Sequence, residues 1–362
     1  MSTPPPRRSS GRARWTPALR ALSFFGALSL TLAAFNAWVV LSPTPTAQRG
    51  RVAMQSAMRL LARSTGMVAS FGQSASDRAQ KDTRAMPPAR FRQRLDLPMD
   101  EAWPVERDWN AAEEREFARF VSVLGRARAE QRCQRMNDCL LNPRANTLFD
   151  ASDQWLGVHL DCADVAYFLR AYFAYKRRLP FGYVNYVAGG GGDIRYMYNT
   201  HPASYKTWRD FRSPRRLLIH LGEQVHSGMF RMAPEVEDGD FYTIRVDREA
   251  VHPGTAFYDP DGHVLVVSAV NDDGVVEFID GHPDGSFTHK RLARDFVAGS
   301  ARFGGGFRNF RPQRWVNGRI VRAANAELAD FDATMQYDAS LRTVNGRVTP
   351  YHEWVQSRVA AR

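Results

Sequence analysis

Three side chains of types that together perform acyl transfer occur in order along the chain: Cys162, His263 and Asp280. A thiol nucleophile needs a base that takes its proton and a carboxylate that orients this base. Cys162 follows Asp161 at the start of a strong helical pattern, and the positive end of a helix favours thiolate over thiol. The charge of Asp161 opposes that effect, so we assign Asp161 to capping. The order of the three residues predicts a Cys–His–Asp catalytic site.

A second histidine competes with His263 for the role of base. His282 stands two residues after Asp280, whereas His263 opens an apolar run after the turn 259–262. Because roles in such a site depend on geometry and not on sequence proximity, His263 is the preferred base and His282 the alternative. The other histidines singled out have no partner pattern and are interpreted as structural or exposed: His159, His220 and His226.

The intermediate of acyl transfer also requires donors for its oxyanion. Gln154 and Trp155, a few residues before Cys162, are candidates, and the alternative is that they are ordinary loop residues. The spacing of cysteines and histidines matches no zinc motif, so no metal is predicted. No cofactor is predicted either.

The elements that must position these residues follow from periodicity. Apolar residues recur at helical spacing over 161–178, and Pro180 ends that helix. Asn110 is the predicted N-cap of an earlier helix. Strands are predicted at 183–187, 241–246, 263–270 and 275–279, with a turn at 271–274, and glycine-rich mobile loops at 189–192 and 303–307. A helical first half followed by strands predicts an α+β fold in which the nucleophile helix packs on an antiparallel sheet.

The charge distribution separates an N-terminal arm from the rest of the chain. The net charge is +11, but residues 1–100 carry 15 Lys and Arg against 4 Asp and Glu, and residues 101–362 carry 34 of each. No basic stripe with interleaved aromatic residues follows. Nucleic acid is therefore not a predicted partner.

The arm has the pattern of a membrane anchor. A Pro-, Ser- and Arg-rich segment (1–17) is predicted to be disordered, and a transmembrane anchor is predicted at 18–41. Its uncharged part, 21–41, would span about 30 Å as a helix. The basic flank places the rest of the chain in the periplasm of a bacterium, on a single-pass inner-membrane protein. A cleaved signal peptide is the alternative. A helix and linker at 42–100 then lead to a catalytic domain at 101–362.

Two of the three cysteines could form a disulfide in such an oxidising compartment. Cys133 and Cys139 are six residues apart, and Cys162 would remain a free thiol. Three reduced cysteines are the alternative.

The motifs around the candidate site resemble those of the papain-like thiol superfamily. The segment DCADVAYFL resembles the nucleophile motif of papain-like bacterial cell-wall peptidases, and HPGTAFYDPDGHVLVV resembles their strand leading to the catalytic histidine. The interval from His263 to Asp280 is more similar to the transglutaminase-like branch. The resemblance covers about residues 150–285. It implies a papain-like or transglutaminase-like fold with Cys162 as nucleophile, His263 as base and Asp280 as orienting group.

The expected function is that of a membrane-anchored, periplasmic, cysteine-dependent amide hydrolase or acyl transferase. The expected substrate is a cell-wall peptide or an envelope protein, and no oligomeric state is predicted. Water as the final acceptor would make the protein a peptidase or amidase, and an amine would make it a transglutaminase-like crosslinker. A non-catalytic envelope scaffold on a degenerate papain-like fold is the alternative.

Overall fold

The computed structural model describes residues 102–259, 261–344 and 347–361. The predicted disordered N-terminus (1–17), membrane anchor (18–41) and helix with linker (42–100) lie outside these ranges. Within the ranges described, no helix is both long enough and apolar enough to cross a membrane.

The α-helices are α1 Ala111–Ala129, α2 Met136–Leu140, α3 Cys162–Arg177, α4 Pro214–Gln224 and α5 Tyr351–Val359. The predicted cap of α1 is confirmed, because the side chain of Asn110 accepts the backbone N–H groups of Ala112 and Glu113. The two longest helices, α1 and α3, both pack against the main sheet.

The predicted helix at 161–178 is confirmed, and its two outermost residues are the caps of α3. Asp161 accepts the N–H groups of Ala163 and Asp164, and the carboxylate of Asp164 accepts the N–H of Asp161 at 2.8 Å. This reciprocal capping box fixes the first turn of the helix. Every residue of α3 between its two end residues is buried. The start of α3, where Cys162 lies, is therefore held rigidly.

The main sheet has six antiparallel strands in the order β3-β8-β4-β5-β6-β7. Their bounds are β3 Phe241–Thr243, β4 Ala256–Asp259, β5 His263–Val270, β6 Val276–Gly281, β7 Phe287–Arg291 and β8 Gly306–Phe310. Both faces of this sheet are covered. Val264 and Val266 of β5 join the core shared with α1 and α3, whereas Leu265 and Val267 join the core shared with α5. The chain is thus α+β, and the helix that begins at Cys162 packs on an antiparallel sheet.

Two-stranded antiparallel sheets complete the described chain. They are formed by β1 Gly182–Gly190 with β2 Tyr198–Thr207, β9 Gln313–Val316 with β10 Arg319–Arg322, and β11 Thr343–Val344 with β12 Arg347–Val348. The predicted strand at 263–270 is confirmed to the residue. The strand predicted at 275–279 is confirmed with bounds one to two residues later, and the one predicted at 183–187 is longer than expected.

Three predictions are corrected by the structure. The predicted loop 189–192 is wrong in its first half, because Gly189 and Gly190 continue β1. The predicted loop 303–307 is wrong in its last two residues, because Gly306 opens a strand inside the sheet. The φ of Gly306 is 83°, and a Cβ there would lie 2.3 Å from Oε1 of Gln336, so this glycine marks a close approach and not a flexible loop. The strand predicted at 241–246 ends at Thr243, since the chain then pairs with the segment around Phe331.

Candidate active site

The start of α3 contacts the ends of β5 and β6. The backbone N–H groups of Val264 and Ala163 lie close enough to the sulfur of Cys162, the first residue of the helix, to act on its pKa. The ladder between β5 and β6 ends at the pair Val266–Ile279. On the β6 side, a Cβ at Gly281 would lie only 2.6 Å from the carbonyl oxygen of Leu160. The segment leading into Cys162 therefore touches both strands where their ladder has ended.

His263 and Asp280 form a hydrogen-bonded pair on these same strands. Nε2 of His263 lies 2.7 Å from Oδ2 of Asp280, whose side chain is fully buried, whereas the side chain of His263 is 33% exposed. Because His263 precedes Val264, the imidazole stands one residue from the N–H that contacts the thiol. The structure thus pairs His263 with Asp280 and places the residue that follows His263 beside the thiol of Cys162.

Side chains of β7 and of the turn that precedes β7 also contact the carboxylate of Asp280. Nζ of Lys290 lies 2.6 Å from Oδ2, Oγ1 of Thr288 donates to Oδ1, and Nε2 of His282 lies 3.2 Å from Oδ2. Burial alone would raise the pKa of Asp280, but the hydrogen bonds from His263, Lys290 and Thr288 outweigh it and hold this pKa below its ordinary value. The carboxylate is therefore ionised and able to orient an imidazole.

The geometry distinguishes His263 from its competitor. The two rings stack at a centroid distance of 5.7 Å with 27° between their planes. Nε2 of His282 is farther from Asp280 and also lies 3.3 Å from Oγ1 of Thr288. His263 makes the shorter contact with Asp280 and adjoins the backbone group that binds the sulfur. This arrangement favours His263 as the base.

The pKa of the Cys162 thiol is higher than its position at the helix start alone suggests. Burial and the charge of Asp161 raise the pKa of Cys162 to about 12, although the N–H groups of Val264 and Ala163 act in the opposite direction. The expectation that the helix start favours thiolate is thus wrong for the resting protein, because the loss of solvation exceeds the effect of the helix end. Cys162 is a protonated thiol at neutral pH and needs a base to become a nucleophile.

The candidates for the oxyanion hole lie on a 3₁₀ turn, Ala151–Trp155. Gln154 is exposed on this turn, and Trp155 is partly buried with the guanidinium of Arg215 5.9 Å from its ring. A backbone N–H at the helix start is the other expected donor, and in the structure the first such group is the N–H of Cys162. The first N–H groups of a helix have no intrahelical acceptor, and Asp161 accepts those of Ala163 and Asp164. The N–H of Cys162 is therefore available to a negatively charged oxygen.

The remaining histidines that the sequence singled out belong to other surroundings. His159 bonds the carbonyl of Pro283, His220 lies 3.2 Å from Oδ1 of Asn185, and His226 lies beside Gly228. Among the described residues, no group of three or more His, Cys, Asp or Glu side chains could hold a metal ion.

A disulfide-closed loop supports both sides of the site. Cys133 and Cys139 are joined in a disulfide, and the loop between them carries Arg135 and Asn137. Oδ1 of Asn137 accepts the N–H of Val158, which lies four residues before Cys162, and Arg135 forms a β-bridge with Ser286, which follows Asp280. Between these segments and α4 lies a cavity of about 360 Å³, lined in part by His159, Leu160 and Ile219.

The tip of the β1–β2 hairpin forms another wall. The φ of Gly262 is 96°, and a Cβ there would lie 3.1 Å from Cβ of Arg195. Arg195 is held by Asp193 at 2.7 Å. Since Gly262 precedes His263, the hairpin tip borders the candidate base.

The roles of Thr288 and Lys290 were missed from the sequence. The structure pairs Asp280 with Thr288 across β6 and β7, and Phe278 with Lys290. The turn motif HPDG at 282–285 could have indicated them, because such a turn predicts a hairpin whose second strand pairs with the strand that contains Asp280. Extending a hairpin from that turn would have placed both residues beside the carboxylate.

The close approach at Gly281 predicts that a single methyl group added at this position would disturb the packing. We expect Gly281→Ala to destabilise the protein by about 1–3 kcal/mol, because the new Cβ would meet the backbone oxygens of Leu160 and Asp161. Urea unfolding measures the effect. Gly157→Ala is the matched control, since its nearest contact would be 3.9 Å away. Equal stabilities of the two variants would contradict this packing.

The buried carboxylate also predicts a specific acid sensitivity. The pKa of Asp280 is below 3.8 in the folded protein, so its ionised form stabilises the fold above pH 3.8, and that contribution is lost as pH falls through the lower folded value. We therefore expect the stability gap between wild type and Asp280→Asn, measured by urea unfolding, to narrow below about pH 4. Asp261→Asn, on an exposed turn, should follow the wild-type profile. A stability difference between wild type and Asp280→Asn that grows as the pH falls would contradict the lowered pKa of Asp280.

No protein-family model, no curated protein and no solved structure matches this chain.

Proposed function

We propose that this protein is a cysteine-dependent amide hydrolase or acyl transferase with Cys162 as nucleophile, His263 as base and Asp280 as orienting carboxylate. The observation that carries the proposal is the position of the thiol against the N–H of Val264, next to an imidazole bonded to a buried, ionised aspartate. The helix that begins with the nucleophile and packs on an antiparallel sheet supports a papain-like or transglutaminase-like fold.

The raised pKa of the thiol sets the order of steps. His263 takes the proton of Cys162 as the sulfur attacks the carbonyl carbon, and Asp280 stabilises the imidazolium that forms. The N–H of Cys162 donates to the oxyanion. His263 then protonates the leaving amine, which leaves a thioester on Cys162. Water releases an acid and completes hydrolysis, whereas a second amine takes the acyl group and completes transfer.

The substrate is an amide in a cell-wall peptide or an envelope protein, and the cavity beside Leu160 would take the part of it next to the reacting bond. Leu160 lies two residues before Cys162, and the cavity has room for a few side chains. The disulfide supports an oxidising compartment such as the periplasm. We also propose that residues 18–41 anchor the protein in the inner membrane.

A non-catalytic scaffold is the second candidate, and one observation favours it. A thiol buried enough for its pKa to be raised to about 12 is the state expected of a packing cysteine. A partly exposed imidazole, one residue before Val264 and bonded to the buried carboxylate of Asp280, argues for the enzyme, since packing alone requires no such pair.

The test is incubation of the purified full chain with muropeptides and, separately, with an unfolded envelope protein plus dansylcadaverine. New amino groups would indicate hydrolysis, and dansyl incorporation would indicate transfer. A thioester adduct on Cys162, detected by mass spectrometry after acid quench, would identify the nucleophile. Absence of cleavage, transfer and adduct with both substrates would favour the scaffold.

A further inference from the structure

A buried lysine lies between two buried aspartates, on the opposite end of α3 from Cys162. Nζ of Lys176 is 2.8 Å from Oδ2 of Asp150 and 2.8 Å from Oδ1 of Asp153, and each of the three side chains is at most 2% exposed. Two carboxylates and one ammonium would leave an excess negative charge in a low dielectric. Burial raises the pKa of Asp153 even though Lys176 opposes it. The cluster is electrically neutral when one of the two carboxyl groups keeps its proton beside the ammonium and the other carboxylate.

The two carboxyl groups have different surroundings. Asp150 accepts a hydrogen bond from Nζ of Lys176 and further ones from the N–H and hydroxyl of Ser152, as a carboxylate does. Oδ2 of Asp153 accepts the hydroxyl of Tyr172 at 2.8 Å and the N–H of Asp150 at 2.9 Å, while Oδ1 faces Nζ of Lys176 at 2.8 Å. Lys176 thus contacts both carboxyl groups, and on Asp153 it meets the oxygen that the other two donors leave free.

We propose that Lys176 and Asp153 form an intramolecular isopeptide bond, with Asp150 as the base. The ammonium of Lys176 gives a proton to Asp150, and the neutral amine attacks Cγ of the protonated Asp153. The new N–Cγ bond forms, the bond from Cγ to Oδ1 breaks, and Oδ1 leaves as water. The remaining proton stays on Asp150, so the cluster is electrically neutral before and after the reaction.

The other oxygen of Asp153 is placed to carry the charge of the intermediate. Oδ2 becomes the amide oxygen, and it already accepts the two donors from Tyr172 and Asp150. Nδ2 of Asn146 donates to the hydroxyl oxygen of Tyr172 at 2.9 Å, which directs the phenol proton towards Asp153. Donors that are already aimed at a developing oxyanion lower the barrier of such a step.

The surroundings exclude water, as a condensation requires. Nζ of Lys176 lies 5.5 Å from the ring of Tyr172 and 5.3 Å from that of Tyr175. Amine and acid therefore meet in an aromatic enclosure, where solvent does not compete for the carbonyl carbon. The product would tie the turn before Cys162 to the last turn of the nucleophile helix. This inference does not depend on the proposed function.

The test is a tryptic map of the purified full chain after reduction and denaturation. An isopeptide bond blocks cleavage after Lys176, and it links peptide 145–170 to peptide 171–177, giving their summed mass less one water. We expect this species in most wild-type molecules. Cleavage after Lys176 with both peptides at their unmodified masses would overturn the proposal, whatever the variants do.

Variants separate the base from the reacting pair. Lys176→Met should give no linked species, and Asp150→Asn should reduce it at least tenfold while Lys176 and Asp153 remain. Arg177→Gln is the matched control, because it removes the neighbouring ion pair with Glu113 and leaves the cluster intact. It should be linked to the wild-type extent. Full linkage in Asp150→Asn would contradict the role of Asp150 as base.

Discussion

Replacement of Cys162 by alanine is expected to lower amide cleavage or transfer by about 10³-fold or more, because no other group of the cluster can form the acyl intermediate. The residual rate would come from binding and from the oxyanion donor alone. The measurement is the rate of amino-group release, or of dansylcadaverine incorporation, on the substrate that the wild-type protein turns over. Circular dichroism and urea unfolding establish that the variant keeps the fold.

The other two cysteines provide the matched control. The double variant Cys133→Ala/Cys139→Ala removes the disulfide and should lose about 2 kcal/mol of stability through loop entropy. Its Cys162 is unchanged, so at a temperature where it remains folded its turnover should fall far less than that of Cys162→Ala, even though the disulfide-closed loop contacts the segments beside the site. Activity that survives in Cys162→Ala but not in the double variant would exclude Cys162 as the nucleophile.

The start of α3 illustrates what local sequence determines. The motif Asp161-Cys162-Ala163-Asp164 contains both halves of a capping box, so the helix bounds and the first-turn position of the thiol follow from neighbours in sequence. The apolar run from His263 to Val270 is likewise a strand whose two faces are both buried. Each of these predictions needed only residues that are close along the chain.

The electrostatics of the site depend instead on residues far apart along the chain. The thiol pKa is raised because β5 and its surroundings enclose Cys162, and burial of this kind cannot be read from the helix motif. Lys290 reaches Asp280 only through the β6–β7 register, and a shift by one residue would turn it to the other face. The position of Gly306 inside the main sheet could not be predicted from neighbouring residues either, since its close contact is with Gln336, 30 residues away along the chain.

Replacement of His263 by alanine is expected to lower turnover by about 10²- to 10⁴-fold, the range typical of a lost general base. The effect should be large here because the pKa of Cys162 is raised to about 12, so almost no thiolate forms at neutral pH without a base. His282→Ala should cost less than tenfold, since this ring is farther from Asp280 and follows Gly281 instead of adjoining Val264. The measurement is kcat against pH for both variants.

The pH profile separates a lost base from a distorted site. In His263→Ala the rate should rise with hydroxide concentration up to high pH, because solvent must then remove the thiol proton that His263 removes in the wild type. In His282→Ala the rate should retain the wild-type dependence, with His263 still bonded to Asp280. If the rate of His282→Ala, and not that of His263→Ala, followed the hydroxide concentration, the base would be His282. The histidine farther from Asp280 would then be the catalytic one of the two stacked rings. Equal losses in both variants would mean that the two imidazoles act as one unit around a shared carboxylate, which the shorter His263 contact argues against.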